Sequence, residues 1–462
     1  MSLSASIEKT FRTLLPAPFT IAVVLTLVTM FLAVALTDSD KTGLGRGMEI
    51  LTFWEKGLWN GSLLIFAMQM MLMLVLGHAL ALTGPVNAVI GFATRSCNST
   101  ANAAFIVTFL TVAVALFNWG LGLIFGAILA RKVGEHAARN GFNLNYPLIG
   151  AAGYSGLMVW HGGISGSAPI KVAESGHIRG LMQDILPTDR LALLPDPVMF
   201  SDTVFGTMNL TAMLLAIIVL PAFMYVLGKR SDRKSSLPVP MEEKTETDVR
   251  ATGAERLDRS RVFSLLFGLM VLGYSISVAA NVFPEKGLAF INPNFINLLL
   301  LGLCLTLHGS FHRFLRAIDS AIGGASGILI QFPLYFGIMG IMNSSGLVQI
   351  FSDFFVGISN STTFPVFTFI SAGIVNVFVP SGGGQWGVQG PIILQAALDL
   401  GVSIPKSIMA LAYGDQLTNM LQPFWALPLL GITGLKAKEI LPYTVALMLV
   451  GAVLYVSVLL IF

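Results

Sequence analysis

The most informative segment of this chain reads Pro380-Ser381-Gly382-Gly383-Gly384-Gln385-Trp386-Gly387 and interrupts an apolar region at about 363–398. A glycine run that opens a helix exposes backbone N–H groups and the positive end of the helix dipole, which together favour an anion. In hydrocarbon such amides need a polar partner. A tight turn that allows close packing is the alternative, and we favour the anion-binding interpretation. No Lys-Ser/Thr follows and no strand precedes, so this is not a nucleotide loop.

The surrounding composition predicts a membrane protein. Hydrophobic residues make up 55% of the 462 residues and charged residues 11%, against about 25% charged residues in a typical soluble domain. Apolar runs of about 20 residues match a hydrocarbon layer of about 30 Å, and backbone groups in that layer must pair internally. The short alternating segments of a β-barrel do not appear. We therefore predict an all-α polytopic membrane protein and exclude a soluble enzyme.

Nine apolar runs are long enough to span the membrane, and two further regions are broken midway by Gly, Asn, Pro or Ser. Because each half of a broken region looks too short to cross, we predict re-entrant hairpins at about 100–130 and 363–398, buried by protein. The nine predicted transmembrane helices lie at about 17–37, 61–83, 142–170, 198–228, 262–282, 294–310, 318–341, 403–430 and 440–461.

The basic residues orient the chain. The linker 229–261 carries nine Lys and Arg, and the positive-inside rule places such loops in the cytoplasm. This gives a cytoplasmic N-terminus, a periplasmic C-terminus, and two halves at 1–228 and 262–462. Since the basic residues sit in loops between apolar runs, the net charge of +3 does not indicate nucleic acid. The other cytoplasmic basic residues are Arg95, Arg131, Lys132, Arg139, His312, Arg313, Arg316, Lys436 and Lys438.

Short matching motifs relate the two halves. In each half a hairpin precedes a long broken helix, at 142–170 and 403–430. Under the predicted topology the hairpins enter from opposite sides, so the halves are inverted repeats, the arrangement that gives many secondary transporters alternating access. The matching segments are, in order, 98–100 with 360–362, 117–120 with 384–387, and 154–169 with 413–428.

The interrupted segments supply the candidate substrate-binding residues. At the first hairpin tip, Asn118 either contacts a ligand or caps the returning helix. In the first broken helix, His161 either binds directly or only bonds a neighbouring helix. The tryptophans either face an apolar tail or are interfacial aromatics. The full candidate set is Asn118, Trp119, Gly120, His161, Gly162, Gly163, Ser165, Ser167, Ser381, Gly382, Gly383, Gly384, Gln385 and Trp386.

The second broken helix holds one carboxylate, Asp415, at membrane depth. An acid there is expensive, so we expect it to act on a coupling ion, either H⁺ or Na⁺. A structural Asp satisfied by backbone donors is the alternative. We predict no cofactor, and no metal apart from Na⁺ at these residues. The candidate coupling-ion residues are Asp415, Gln416, Thr418, Asn419 and Gln422.

No Arg or Lys falls within the broken segments 154–169 and 413–428. A carboxylate would therefore be held by amides and helix ends. This suits a small monoanion with an apolar tail, whereas a tricarboxylate would call for Arg. Since no HExxH, GxSxG or acid pair appears, an intramembrane enzyme is disfavoured. Cys97 and Cys304 form neither a disulfide framework nor a metal spacing.

Over essentially its full length the chain resembles the short-chain fatty acid transporter family of the bacterial inner membrane. The resemblance rests on three stretches: Pro380–Pro391 (PSGGGQWGVQGP), Gln331–Met339 (QFPLYFGIM) and Gly414–Asn419 (GDQLTN). It implies a secondary active transporter that takes up monocarboxylates such as acetoacetate or butyrate, coupled to H⁺ or Na⁺. An antiporter or exporter of another organic anion on the same fold is the main alternative, and a passive anion channel is a weaker one.

More distantly, the Gly-Asp-x-x-Thr-Asn segment and the Trp-containing hairpin resemble the p-aminobenzoyl-glutamate transporter family of the ion-transporter superfamily. That resemblance implies nine spans with two opposed hairpins, a homodimer in membrane lipid, and elevator movement of a transport domain. It places the substrate between the tips Asn118–Gly122 and Ser381–Trp386 and the broken helices at His161–Ser167 and Asp415–Gln422. The expected partners are the carboxylate, its coupling ion, lipid and a second copy of the chain.

Overall fold

A computed structural model describes residues 17–183, 185–231, 235, 253–286 and 290–462. Within these ranges the chain is helical and contains no β-strand. Length and composition allow seven of the described helical segments to cross a membrane, which confirms a multi-pass all-α protein. The count of nine spans remains a prediction. The seven segments are Pro18–Leu36, Gly61–Ala81, Thr100–Phe117, Thr207–Lys229, Arg261–Pro284, Phe311–Ser344 and Ala437–Ile461.

We number the described α-helices in chain order. They are α1 Pro18–Leu36, α2 Gly43–Leu58, α3 Gly61–Ala81, α4 Gly84–Thr94, α5 Thr100–Phe117, α6 Trp119–Asn140, α7 Tyr146–Tyr154, α8 Ser167–Ala173, α9 His177–Met182, α10 Thr188–Leu191, α11 Thr207–Lys229, α12 Glu255–Asp258, α13 Arg261–Lys286, α14 Pro293–His308, α15 Phe311–Ala321, α16 Ser326–Ser344, α17 Leu347–Gly357, α18 Phe364–Phe378, α19 Gly382–Leu400, α20 Ile404–Thr418, α21 Leu427–Thr433 and α22 Ala437–Ile461. Short 3₁₀ turns occupy Ser155–Met158, Trp160–Gly162, Ile322–Ala325 and Asn419–Leu421.

The first predicted hairpin is formed by α5 and α6, which meet at Asn118. Its side-chain oxygen accepts the Leu121 N–H at 3.0 Å and so starts α6. The α5 arm has 18 residues and is long enough to span, so the expectation that each half is too short is wrong for this arm. The α6 arm runs past the predicted end at 130 because Glu135 forms ion pairs with Arg131 and Lys132 on the same helix.

The second predicted hairpin is formed by α18 and α19. Their turn ends at Ser381, whose hydroxyl oxygen accepts the Gly384 N–H at 3.2 Å. Residue 401 is a glycine with a φ of 65° and ends α19 in the left-handed conformation. The hairpin closely matches the predicted range. Its re-entrant position in a membrane, like that of the first hairpin, remains a prediction.

Both predicted broken helices are interrupted. The first consists of α7, two 3₁₀ turns and α8, and the second of α20, one 3₁₀ turn and α21. They touch each other, since the Tyr154 hydroxyl donates to the Asn419 carbonyl at 2.9 Å. Residues 146–163 and 407–417 are all buried. The broken elements therefore lie at the centre, while the strongly apolar α1 and α13 are mostly exposed, as lipid-facing helices are.

Two predicted spans have different limits. The span predicted at 198–228 becomes helical only at Thr207, and the one predicted at 318–341 is divided between α15 and α16.

The helix α2 was not predicted from the sequence, because it has no long apolar run. Its position is fixed by small residues: a Cβ on Gly57 would lie 2.3 Å from the Phe336 carbonyl oxygen and 2.8 Å from Gly340 Cα. Such close backbone contact is typical of small-residue helix crossings.

Candidate functional site

A cavity of about 220 Å³ lies where the two hairpin tips and the two broken helices meet. Each of the four elements contributes to its wall, so residues far apart in the chain surround one space. None of the described residues that line it is Lys or Arg. The lining residues are Leu63, Phe66, Trp119, Trp160, Ser167, Phe336, Met339, Pro380, Ser381, Gly382, Gly383, Phe424 and Trp425.

Aromatic rings form the apolar part of this wall. The Trp119 ring centroid lies 5.3 Å from that of Trp425 and 6.0 Å from that of Trp160. Phe66 packs edge-on against Trp425 at 5.9 Å. Aromatic side chains packed in this way are rigid and present large apolar faces. The wall can therefore contact an alkyl tail without reorganising.

The polar end of the cavity is the start of α19. Ser381 satisfies the Gly384 N–H, whereas the N–H groups of Gly382 and Gly383 belong to the first turn, where helix geometry provides no intrahelical acceptor. Both glycines line the cavity. The amides and the positive end of the α19 dipole can therefore meet an anion there.

Directly behind this tip lies a buried pair, His161 and Asp415. The His161 Nδ1 atom lies 3.1 Å from Asp415 Oδ1, and the two side chains are 0% and 1% exposed. On the other side of the ring, Nε2 accepts the Ala168 N–H at 3.0 Å. Asp415 Oδ2 has no hydrogen-bond partner among the described residues. Gln416 holds the backbone in place, because its Oε1 accepts the N–H groups of His161 and Gly162.

A second polar cluster surrounds Asn376 on α18. Its Nδ2 lies within hydrogen-bond distance of three oxygens: the Asp415 carbonyl at 2.7 Å, Thr418 Oγ1 at 3.0 Å and Asn419 Oδ1 at 3.0 Å. An amide nitrogen carries only two hydrogens, and Asn376 Oδ1 has no partner among the described residues. The Gln422 amide donates to the Asn376 carbonyl at 2.6 Å.

The candidate coupling-ion residues are thus divided between two groups. The Asp415 carboxylate faces His161, while Thr418, Asn419 and Gln422 gather around Asn376. Sequence reasoning missed Asn376, although an Asn in the apolar run Ile374-Val375-Asn376-Val377-Phe378 was an available signal. Sequence reasoning also did not identify Trp160, Phe424 and Trp425 as residues that line the cavity.

Several predicted binding residues hold the tips in place instead of lining the cavity. Asn118 donates to the Ile291 carbonyl at 3.0 Å, and Ser165 accepts the Trp119 N–H at 2.9 Å. A Cβ on Gly163 would lie 2.4 Å from the Leu116 carbonyl oxygen. Gly120 packs against Met73, and Gln385 donates to Ala372 within the second hairpin.

Trp386 lies outside the cavity, contrary to the expectation that it faces the tail. It is on α19 one turn deeper than Gly382, is 1% exposed, and donates its indole N–H to His177 Nε2 at 3.0 Å. In its place, Trp160 and Trp425 complete the aromatic wall with Trp119. Ser167 is at the cavity as predicted, whereas Gly384 lies just behind it, capped by Ser381.

Comparison with known proteins identifies the family of this chain. A family model described as "Short chain fatty acid transporter" matches residues 1–462. A protein of Escherichia coli (strain K12) named "Putative short-chain fatty acid transporter" is 37% identical over 96% of this chain and 95% of its own length. A Haemophilus influenzae protein of the same name is 36% identical over the same shares.

Two solved structures cover most of the chain at low similarity. The Alcanivorax borkumensis YdaH transporter shares 15% identity and a TM-score of 0.42, covering 95% of this chain and 97% of its own. Neisseria gonorrhoeae MtrF, described as an antimetabolite efflux pump, shares 16% identity and a TM-score of 0.36, covering 97% and 96%. The full-length family match and the two relatives show that the chain belongs to the short-chain fatty acid transporter family, a family of transporters and not of enzymes.

Proposed function

We propose that this protein is a secondary active transporter that takes up short-chain monocarboxylates, such as acetoacetate or butyrate, across the inner membrane with H⁺ or Na⁺. One observation carries the proposal: a cavity of about 220 Å³ has an aromatic wall, a glycine helix start at one end, and no Lys or Arg among its described lining residues. The names of its relatives support the same substrate class.

In this proposal the carboxylate accepts hydrogen bonds from the Gly382 and Gly383 amides. The hydroxyls of Ser381 and Ser167, which also line the cavity, are available as further donors. The alkyl tail lies against the tryptophan wall. Because the rest of the lining is apolar, a second carboxylate on the substrate would be buried without a partner, which is costly. The site therefore favours short monocarboxylates over dicarboxylates.

Two places suit a coupling ion. The His161–Asp415 pair can hold a proton, and the oxygens around Asn376 are the hard ligands that Na⁺ prefers in proteins. Asp415 is part of both places: its carboxylate faces His161, and its main-chain carbonyl faces Asn376. Either ion would therefore bind to the segment around Asp415, which also positions the tip of α19.

We further propose alternating access by inverted repeats, with hairpins that re-enter the membrane, elevator movement and a homodimer. The support is that each half has a hairpin followed by a broken helix, and that all four elements meet at one cavity. The N-terminus would be cytoplasmic and the C-terminus periplasmic. Most of the predicted linker 229–261 lies outside the described residues, so its cytoplasmic position stays a prediction.

Uptake of labelled butyrate into proteoliposomes tests the proposal. We expect saturable uptake that is driven by an imposed H⁺ or Na⁺ gradient and inhibited by acetoacetate but not by succinate. Counterflow with a panel of mono- and dicarboxylates separates this function from exchange of another anion. Flux that does not saturate would indicate a channel, and preference for dicarboxylates would refute the proposed substrate class.

A further inference from the structure

We propose that His177 is a positioning residue for the substrate site, because it holds Trp386 and, through Trp386, the start of α19. This inference rests on the proposed binding of a carboxylate at Gly382 and Gly383. It adds a regulation of that site: the affinity for the carboxylate depends on whether His177 is neutral or protonated.

The start of α19 has few side chains that could fix its position. Its first six residues read Gly-Gly-Gly-Gln-Trp-Gly, so Gln385 and Trp386 carry the only side chains there. Each glycine is less favourable in a helix than alanine by about 1 kcal/mol. The Gln385 amide donates to the Ala372 carbonyl and to Gln389 Oε1, both within the same hairpin. Trp386, by contrast, bonds outside the hairpin and ties this turn to the rest of the protein.

Trp386 is fixed between its own helix and His177. Its indole N–H donates to His177 Nε2 at 3.0 Å, and the residue is 1% exposed. A Cβ added to Gly390 would lie 3.1 Å from the indole ring, so the ring rests directly on the α19 backbone. A shift of the indole is therefore transmitted to that backbone and to Gly382, about one helical turn away.

His177 is itself held in place. Asp196 accepts hydrogen bonds from the N–H groups of Gly176 and Arg179, which precede and follow His177 in the sequence, at 3.1 and 3.4 Å. Apolar side chains of the same segment pack on α19. Ile178, Met182, Leu194, Trp386, Ile393 and Leu394 belong to one buried cluster. The described part of the segment 176–198 is therefore a firm support for the second hairpin.

The bond to Trp386 requires a neutral imidazole. An indole nitrogen can only donate, so His177 Nε2 must accept and carries no hydrogen. The imidazole is partly exposed and can take up a proton from water. A proton on Nε2 turns the acceptor into a donor that faces another donor, and the bond is lost.

The groups around His177 favour the neutral ring. Burial and the charge of Lys171 lower the pKa of His177 below its ordinary value of 6.5, while Glu174 and Asp196 act in the opposite direction. Arg179, on the same helix as His177, pairs with Asp196 at 3.6 Å. The remaining charged residues on the described elements of this cluster are Asp189, Arg190, Asp353, Asp399, Lys406 and Asp415.

Binding and protonation are then linked. A carboxylate that binds to a held tip favours neutral His177, so its affinity is complete above the pKa of that residue and declines as the pH falls through it. Because one proton is involved, the decline is at most about tenfold per pH unit. Under the proposed topology this segment is periplasmic, so the site responds to the pH outside the cell.

Butyrate titration of the purified full-length protein between pH 8 and pH 5 tests the inference. His177→Gln keeps a hydrogen-bond acceptor but cannot be protonated. We expect it to bind like the wild type at pH 8 and progressively more tightly than the wild type toward pH 5. The ratio of the two dissociation constants cancels the ionisation of butyrate and of groups common to both proteins. His136→Gln, which replaces a partly exposed histidine of α6 beside Asn140, is the matched control and should follow the wild type.

A second variant tests the role of the indole. Trp386→Phe keeps an aromatic ring but removes the donor. Loss of one hydrogen bond should weaken butyrate binding at pH 8 by about 2–12-fold, and addition of His177→Gln should weaken it no further. Because Trp386 is buried, its replacement can impair folding; the wild type and His177→Gln decide the question without it.

Specific results would overturn the inference. One is a ratio of wild-type to His177→Gln dissociation constants that stays constant from pH 8 to pH 5. Another is full additivity of His177→Gln and Trp386→Phe. Counterflow of labelled butyrate is measured in parallel: saturable counterflow with a constant ratio refutes this inference alone, whereas absence of both binding and counterflow at every pH refutes the proposed transport as well.

Discussion

Replacement of Gly382 by alanine tests whether the hairpin tip and the buried pair form one site. The added Cβ would lie 2.8 Å from His161 Cε1, 2.8 Å from Trp160 Cη2 and 3.2 Å from His161 Nδ1. Carbon atoms in contact prefer about 3.5–4.0 Å. Both neighbours are rigid rings stacked on each other at 4.5 Å, so neither can move away as a flexible chain end would.

The tip must therefore shift by roughly 1 Å, the difference between 2.8 Å and an ordinary contact. Overpacking of this kind costs about 1–3 kcal/mol. If the strain is relieved by displacing the tip from its binding position, butyrate affinity falls by a factor of about 5–150. The assay is butyrate titration of the purified variant, combined with the KM of uptake in proteoliposomes and with thermal unfolding.

Gly387→Ala is the matched control. Gly387 is on the same helix as Gly382, and a Cβ there would meet nothing within 4 Å. Alanine is also the better helix former, so this variant should bind butyrate like the wild type and unfold at the same or a slightly higher temperature. If Gly382→Ala also bound and transported normally, the tip would not be the substrate position and the proposed site would be wrong.

Three further predictions address the rest of the site. Trp119→Ala should weaken the binding of butyrate more than that of acetate, since only butyrate has a tail to lie on the ring; equal losses in competition assays would contradict the aromatic-wall role. Asn376→Ala removes a buried amide with three oxygen neighbours and should lower the free energy of unfolding by about 1–3 kcal/mol; an unchanged denaturant midpoint would count against the cluster. Burial and the charge of Lys171 lower the pKa of His177 below its ordinary value of 6.5, so its contribution to stability is complete above that pH and declines as the pH falls below it; thermal unfolding from pH 8 to pH 5 should show this slope in the wild type and lose it in His177→Gln.

The interruptions of the fold could be predicted because they are local. Glycine and proline disfavour helix, so the break before Pro423 and the tip at Ser381 are visible without any tertiary information, although α16 and α19 continue through Pro333 and Pro391. The limits of helices were less predictable. The α6 helix continues through Glu135 because of ion pairs that a hydropathy pattern does not register, and α2 is held by a backbone contact at Gly57.

Side-chain direction could not be predicted, because it depends on which neighbours pack on each helix face. The repeat motif suggested equivalent roles for Trp119 and Trp386, yet one lines the cavity and the other bonds His177. In the same way, Asp415 and Thr418 are three residues apart, but the Asp415 carboxylate meets His161 and Thr418 meets Asn376. The partner of Asp415 is 254 positions away in the sequence, beyond any local motif.

The scarcity of fixed charge at the cavity is itself a physical reason for co-transport. An Arg beside the carboxylate would hold it firmly, but the charge would remain behind when the substrate left and would favour rebinding. Without such a residue, two unit negative charges about 6 Å apart would repel each other by about 3 kcal/mol at an effective dielectric constant of about 20. That is about a hundredfold in affinity. A proton or other cation that arrives with the substrate removes this penalty, and because it leaves again, the empty site is restored. A mobile cation at the site would thus give both affinity and release, whereas a fixed one would give affinity alone.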